Sequence, residues 1–189
     1  MTHEAAIALA WDALSDKVIE SPVRFLGEEY SVDVSGRRVA PVGRLVPLDD
    51  DLTLLILHYV ARRAQGLPAP AGDWLSLSEL SLADGFTKVY VERAVAPLRR
   101  AFGSDPERIY TALDKVPGER VERADAAIVI EIFAGVPMLV DIWRADEEFG
   151  ADAGLLFDRS ITDVFCTEDI VELAETAAAG LVDCCGRPG

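Results

Sequence analysis

Two apolar runs, Ala126 to Phe133 and Pro137 to Trp143, constrain the fold of this chain more than any other feature, because only Ala134-Gly135-Val136 separates them. Both are rich in isoleucine and valine, and a three-residue break containing glycine suits a β-hairpin. The pattern predicts a register as well. With Ile132 opposite Met138, Ile130 opposite Val140 and Ile128 opposite Ile142, one face of the pair becomes continuously apolar. The other face then carries Val129, Glu131, Phe133, Leu139, Asp141 and Trp143. An apolar sheet face of this size has to be covered by another layer.

The flanking segments supply that layer. Apolar residues at Ala5, Leu9 and Ala13 and at Ile7, Trp11, Leu14 and Val18 predict a helix over Glu4 to Val18, stopped by Ser21-Pro22. Short strands follow at Arg24–Leu26, Tyr30–Val34 and Arg38–Ala40, the spacing of a small antiparallel meander. Asp49-Asp50-Asp51 places an N-cap and carboxylates at the start of a helix from Leu52 to Gln65. Its main stripe is Leu52, Leu55, Ile56, Tyr59 and Val60, but Leu54, Leu57 and Ala61 make the opposite side apolar too, so most of this helix is expected to be buried.

After the loop Leu67–Gly72, the alternation of Trp74, Ser76 and Ser78 with Leu75 and Leu77 predicts an extended segment over Asp73 to Leu82. Phe86 to Gly103 is helical in spacing, with a kink or break near Ala96 because Pro97 removes a backbone bond and clashes with the preceding turn. Asp105-Pro106-Glu107 starts a short helix ending at Val116-Pro117-Gly118. A short apolar run, Leu155-Leu156-Phe157, precedes the turn-like Asp158-Arg159-Ser160. Thr167-Glu168-Asp169 caps a last helix to about Ala178, and residues 183–189 have the composition of a frayed tail. No Pro/Gly/Ser-rich stretch is long enough to divide 189 residues in two, so the expectation is a single α+β domain. A small antiparallel sheet, including the hairpin near 126–143, packs in it against several helices.

Charge narrows the partners. With 33 acidic and 18 basic residues the formal charge is −15, a field that repels phosphate backbones and anionic lipid headgroups. Nucleic acid and membranes are therefore not expected partners. Such a charge serves solubility, the binding of cationic groups or metals, or docking to a basic protein surface. Met1-Thr2-His3-Glu4 lacks the basic start of a signal peptide, no apolar run approaches a membrane span, and three cysteines make no secreted disulfide framework. A cytoplasmic location is the expectation.

Chemistry-bearing residues concentrate after the hairpin, where Asp141, Asp146, Glu147, Glu148, Asp152, Asp158 and Asp163 lie beside Trp143 and Phe149. Carboxylates converging at a strand end could hold a hard cation or a basic group, or do acid–base work if desolvated. Solvated turns and helix caps are the commoner use of such residues, and no calcium-loop spacing is present. In the proposed register Glu131 and Asp141 are diagonal neighbours, which would raise a pKa if both were shielded from water. His58 falls with Asp51 and Arg62, away from the helix stripe, as a proton carrier, a ligand or simply a packed histidine. Trp74, Trp143 and Phe149 could line an apolar pocket or belong to the core. Cys166 precedes a helix start, which favours a thiolate, but Glu168 and Asp169 oppose it and no histidine is near in sequence. Cys184-Cys185 lacks the spacing of a Cys-x-x-Cys metal knuckle. Dinucleotide, P-loop and serine-hydrolase signatures are absent, and the residues name neither a cofactor nor a metal.

Several short stretches, in their order, resemble an uncharacterised family, domain of unknown function 3786. They are Leu55-Ile56-Leu57-His58-Tyr59, Trp74-Leu75-Ser76, Glu79-Leu80, Ala96-Pro97-Leu98, Phe102-Gly103, Val136-Pro137-Met138-Leu139 with Trp143, Asp146-Glu147-Glu148-Phe149, Leu156-Phe157-Asp158, Ser160-Ile161 and Glu168-Asp169. The resemblance implies no reaction. It implies a setting in anaerobic bacteria and archaea, where some members are fused to an iron–sulfur domain like that of corrinoid proteins. Three cysteines cannot supply the usual four thiolates of a cluster, so a cluster would belong to a partner. Two expectations follow. One is a non-catalytic binding or accessory module for an iron–sulfur or corrinoid protein, meeting it through the acidic strand-end region around Asp141, Asp146 and Asp158. The other is a small carboxylate-dependent enzyme acting on a small molecule, with His58 assisting.

Overall fold

The structure, a computed structural model, describes residues 2–44, 46–80 and 86–185. Among these residues eight strands form one antiparallel sheet: β1 Val23–Phe25, β2 Glu28–Asp33, β3 Arg38–Pro41, β4 Trp74–Leu75, β5 Gly118–Arg120, β6 Ala126–Phe133, β7 Val136–Trp143 and β8 Asp152–Asp158. The order across the sheet is β3-β2-β1-β6-β7-β8-β4, and β5 lies alongside β6. The helices are α1 His3–Asp12, α2 Asp50–Arg63, α3 Thr87–Tyr90, α4 Ala96–Phe102 and α5 Thr167–Cys184, with 3₁₀ turns at Pro106–Asp114 and Arg159–Asp163. The architecture is α+β, as the alternation of hairpin and helical patterns predicts.

The hairpin forms, but its register is corrected by two residues. Ile130 lies opposite Met138 and Ile128 opposite Val140. The turn is tighter than expected: Gly135 adopts φ +76, which glycine takes without strain, and Phe133 already pairs with Val136. A bulge between Glu131 and Phe133 then adds the second residue of the shift. An Ile-x-Ile-x-Ile pattern tolerates a slip of two, since it leaves each side chain on its own face. The bulge also reassigns Phe133. Instead of joining the outer face it enters the core, where its ring stacks on Tyr59 at 4.3 Å and contacts Phe25 at 4.9 Å.

The core takes alternate residues of the central strands, Ile128, Ile130, Met138, Val140, Leu155 and Phe157, together with Leu55, Ile56 and Tyr59 of α2, Leu98 and Phe102 of α4, and Ile170, Leu173 and Ala177 of α5. The helices thus cover one face of the sheet. Asp49 caps α2 by accepting from Leu52 N at 2.8 Å, and Asp50 and Asp51 occupy the first turn where the helix dipole favours them. Before Pro97 the chain winds as a π-helical turn over Val91–Val95, which accommodates the missing N–H and the ring without separating α3 from α4. At the β1–β2 turn, Gly27 has φ +82, and a Cβ there would lie 2.0 Å from the Lys115 carbonyl oxygen.

Other boundaries differ from expectation. The first helix stops at Asp12, where Leu14 N bonds Trp11 O and the chain turns. The extended segment after Asp73 is a strand only at Trp74–Leu75, because Ser76 turns back through bonds with Glu79; its end at residues 81–82 lies outside the described residues. The apolar run at Leu155–Phe157 widens into the seven residues of β8, and Gly118–Arg120 adds a strand that the turn-like sequence hides. α5 runs past Ala178 to Cys184, so 183 and 184 are helical, while 186–189 lie outside the described residues. Among the described residues no helix is long and apolar enough to cross a membrane.

Candidate functional site

The strand-end carboxylates do not converge. Asp158, the last residue of β8, is buried and accepts four hydrogen bonds: Ala71 N at 3.0 Å, Gly72 N at 2.6 Å, Ser160 N at 2.9 Å and Ser160 Oγ at 2.6 Å. Burial works to raise its pKa, but the bonds from Ser160 and the two amides outweigh it and hold the carboxyl below the usual range. Asp158 therefore pins the loop ahead of β4 to the end of β8. Trp74 pairs with Asp158 across that edge, whereas Trp143 pairs with Asp152 at the other end of β8, so the two indoles lie far apart.

Asp141 is 0% exposed on β7. Its Oδ2 accepts from Arg123 Nε at 2.6 Å, and Oδ1 has no partner among the described residues. The Trp143 ring lies over Gly154, where an added Cβ would sit 3.3 Å from the indole and 3.7 Å from Asp141 Cβ. Burial raises the Asp141 pKa, and Arg123 opposes the rise. The expected Glu131–Asp141 pair is not formed. In the observed register Asp141 faces Ala127 and Glu131 faces Pro137, about 13 Å apart along the strands. Glu131 is exposed beside the hairpin turn, with Gly135 N 3.4 Å from its Oε1.

Asp146 closes its own loop, accepting from Glu148 N at 2.8 Å and Phe149 N at 2.6 Å, and these amides lower its pKa. Glu147 is exposed beside it. Trp143 and Phe149, 38% and 71% exposed, flank an open groove of about 590 Å³ with Arg99 and Arg144. Among the described residues no three His, Cys, Asp or Glu side chains are grouped to hold a metal ion.

His58 has the more organised surroundings. α2 presents it toward the start of α5, where its Nδ1 lies 2.8 Å from Asp169 Oδ2. Asp169 is buried, and the same oxygen accepts from Cys166 N at 3.4 Å. A carboxylate accepts, so Nδ1 donates to Asp169 and Nε2 is the ring nitrogen left for another partner. His58 lines a cleft of about 540 Å³ whose other walls include Leu9 and Ala10 of α1, Ala13 just after it, Leu54 of α2, Cys166, and Glu168 and Asp169 of α5. The cleft is mostly apolar with few polar groups, the usual composition of a small-ligand site. Desolvation foremost, opposed by the Asp169 backbone N–H but aided by the Asp169 and Glu168 carboxylates, pushes the Cys166 thiol up to about 11, so it stays protonated at neutral pH. The sequence separates His58 from Asp169 by 111 residues. Only the helix-start pattern Thr167-Glu168-Asp169 hints at a buried carboxylate there, and nothing in it points to a histidine.

The structure thus brings His58 together with Asp169 and Cys166. The others fall into separate groups around the sheet: Trp74 pairs with Asp158, Trp143 lies near Asp141 and lines one groove with Asp146, Glu147 is exposed beside Asp146, and Glu131 sits at the hairpin turn. No curated protein and no solved structure matches the chain. The profile of the family described as Domain of unknown function (DUF3786) matches residues 4–179, which takes in α1, the whole sheet and most of α5. The chain belongs to the DUF3786 family.

Proposed function

We propose that this protein is a non-catalytic binding or accessory module, and that its receiving feature is the α1/α2/α5 cleft rather than the acidic strand end. The observation that carries the reading is the His58–Asp169 pair on the wall of a largely apolar cleft, with Glu168 and Cys166 as its other polar lining. Nδ1 is held by the carboxylate, so in the neutral ring Nε2 is oriented as a single acceptor, suited to an apolar group that bears one O–H or N–H donor. The protonated Cys166 thiol beside it adds no nucleophile. The family resemblance supplies the partner class, an iron–sulfur or corrinoid protein of anaerobic metabolism in the cytoplasm. The net charge of −15 favours a partner with a basic surface.

A second reading draws on the same pair. A histidine oriented by a buried carboxylate is the arrangement of a general base, so a small carboxylate-assisted enzyme would also work from His58 and Asp169. One experiment separates the readings. In a fragment screen by two-dimensional NMR, phenols and alcohols should shift Leu9, Leu54, His58 and Cys166, and Leu54→Trp, which fills the cleft, should abolish the shifts without unfolding the chain. Shifts that survive Leu54→Trp would reject the cleft. Turnover of a bound fragment, lost in His58→Gln, would favour the enzyme. Immobilised protein should retain iron–sulfur or corrinoid chromophores from an anaerobe extract, and retention of neither would reject the partner class.

A further inference from the structure

Beyond the family match, which ends at residue 179, the last residue of α5 and the one after it are adjacent thiols, Cys184 and Cys185. Consecutive helical residues diverge by about 100°, and side chains one apart do not normally meet. Here the two Sγ atoms are 3.8 Å apart. Both residues are half-buried, and the chain end is tied down by Lys115 Nζ donating to Cys184 O at 2.8 Å and Cys185 N donating to Leu181 O at 3.2 Å. We propose that Cys184 and Cys185 form a two-thiolate site for a soft divalent cation of the zinc and cadmium class, held with two open coordination positions.

The spacing suits that class. Two Zn–S bonds of about 2.3 Å meeting at the tetrahedral angle place their sulfurs about 3.8 Å apart. Binding forms two metal–sulfur bonds and releases the displaced thiol protons to solvent. Two thiolates offset the divalent charge, so the nearby Lys115 and Arg108 do not oppose the bound ion. No third thiol, imidazole or carboxylate joins the pair among the described residues. In the proposed site solvent or a small external thiol takes the two open positions. Structural zinc sites close all four positions from the protein, so this one is built for exchange rather than for folding.

The test is titration of the reduced full chain with Cd²⁺, read by native mass spectrometry and by the ultraviolet thiolate-to-cadmium absorption. One equivalent should bind, and Cys184→Ser and Cys185→Ser should each weaken binding at least tenfold, while Cys166→Ser leaves it unchanged. On the unmodified chain, Cd²⁺ should slow alkylation of Cys184 and Cys185 but not of Cys166, which keeps the test independent of how the variants fold. No thiolate absorption, an affinity untouched by either serine variant, or equal protection of all three thiols would overturn the proposal.

Discussion

Arg123→Ala should show how Asp141 is tolerated inside the protein. Asp141 is fully buried, one oxygen is held by Arg123 at 2.6 Å and the other has no partner among the described residues. Breaking a buried ion pair by removing one member costs about 3–5 kcal/mol, because an uncompensated charge is left behind. The Arg123 side chain is 47% exposed, so water screens part of the interaction, and a loss of about 2–3 kcal/mol is expected at pH 7. For a chain of this size that lowers Tm by about 4–12 °C. Asp141→Asn keeps the shape and removes the charge, so it should be close to neutral, and Arg123→Ala added to it should cost under about 1 kcal/mol.

The pH dependence has a definite sign. A carboxyl whose folded pKa is raised contributes stability that is present below its unfolded pKa and is lost as pH rises through the folded one. Removing Arg123 raises that pKa further, so Asp141 protonates in the folded state and the deficit of Arg123→Ala should shrink from pH 7 to pH 5. Urea denaturation followed by far-ultraviolet circular dichroism, with tryptophan fluorescence as a second probe, measures all four members of the cycle. An Arg123→Ala penalty equally large in the Asp141→Asn background, or constant between pH 5 and 7, would show that packing rather than charge is at stake.

Two further outcomes follow from the same geometry. Asp158→Ala removes four hydrogen bonds to a buried carboxylate and should cost about 2–4 kcal/mol, measured by urea denaturation. Its lowered pKa gives the opposite sign to Asp141: the stability it contributes is present above the unfolded carboxylate pKa and lost as pH falls through the folded one, so the variant should approach wild type in acid. Cys166, with its thiol near 11, should react with iodoacetamide no faster than a free model thiol at pH 7.5, followed by peptide mass spectrometry; rapid labelling there would mean an activated thiolate.

Much of the fold is written in local pattern. The meander, the hairpin, the Asp49-capped α2 and the distortion before Pro97 are all legible because periodicity, caps and proline act over a few residues. The register was not, since the Ile-x-Ile-x-Ile repeat is equally satisfied by a slip of two, and only the turn at Gly135 and the bulge beside Glu131 choose between the alternatives. β5 is not legible because Gly118-Glu119-Arg120 has no apolar pattern; its pairing with Val129 and its neighbours makes it a strand.

For the candidate site, the residues alone determined a class: an acidic α+β chain of the DUF3786 family, with His58 off the apolar stripe of its helix. Tertiary structure decided which polar groups meet. Sequence density suggested a carboxylate cluster after the hairpin, yet folding turns Asp141 and Asp158 inward to different partners and leaves Asp146 capping its own loop. It carries Asp169 across 111 residues to His58 instead. The physical reason is range: side-chain pattern reports how a segment turns and which face it buries, while a charge at close quarters depends on segments that only packing brings together.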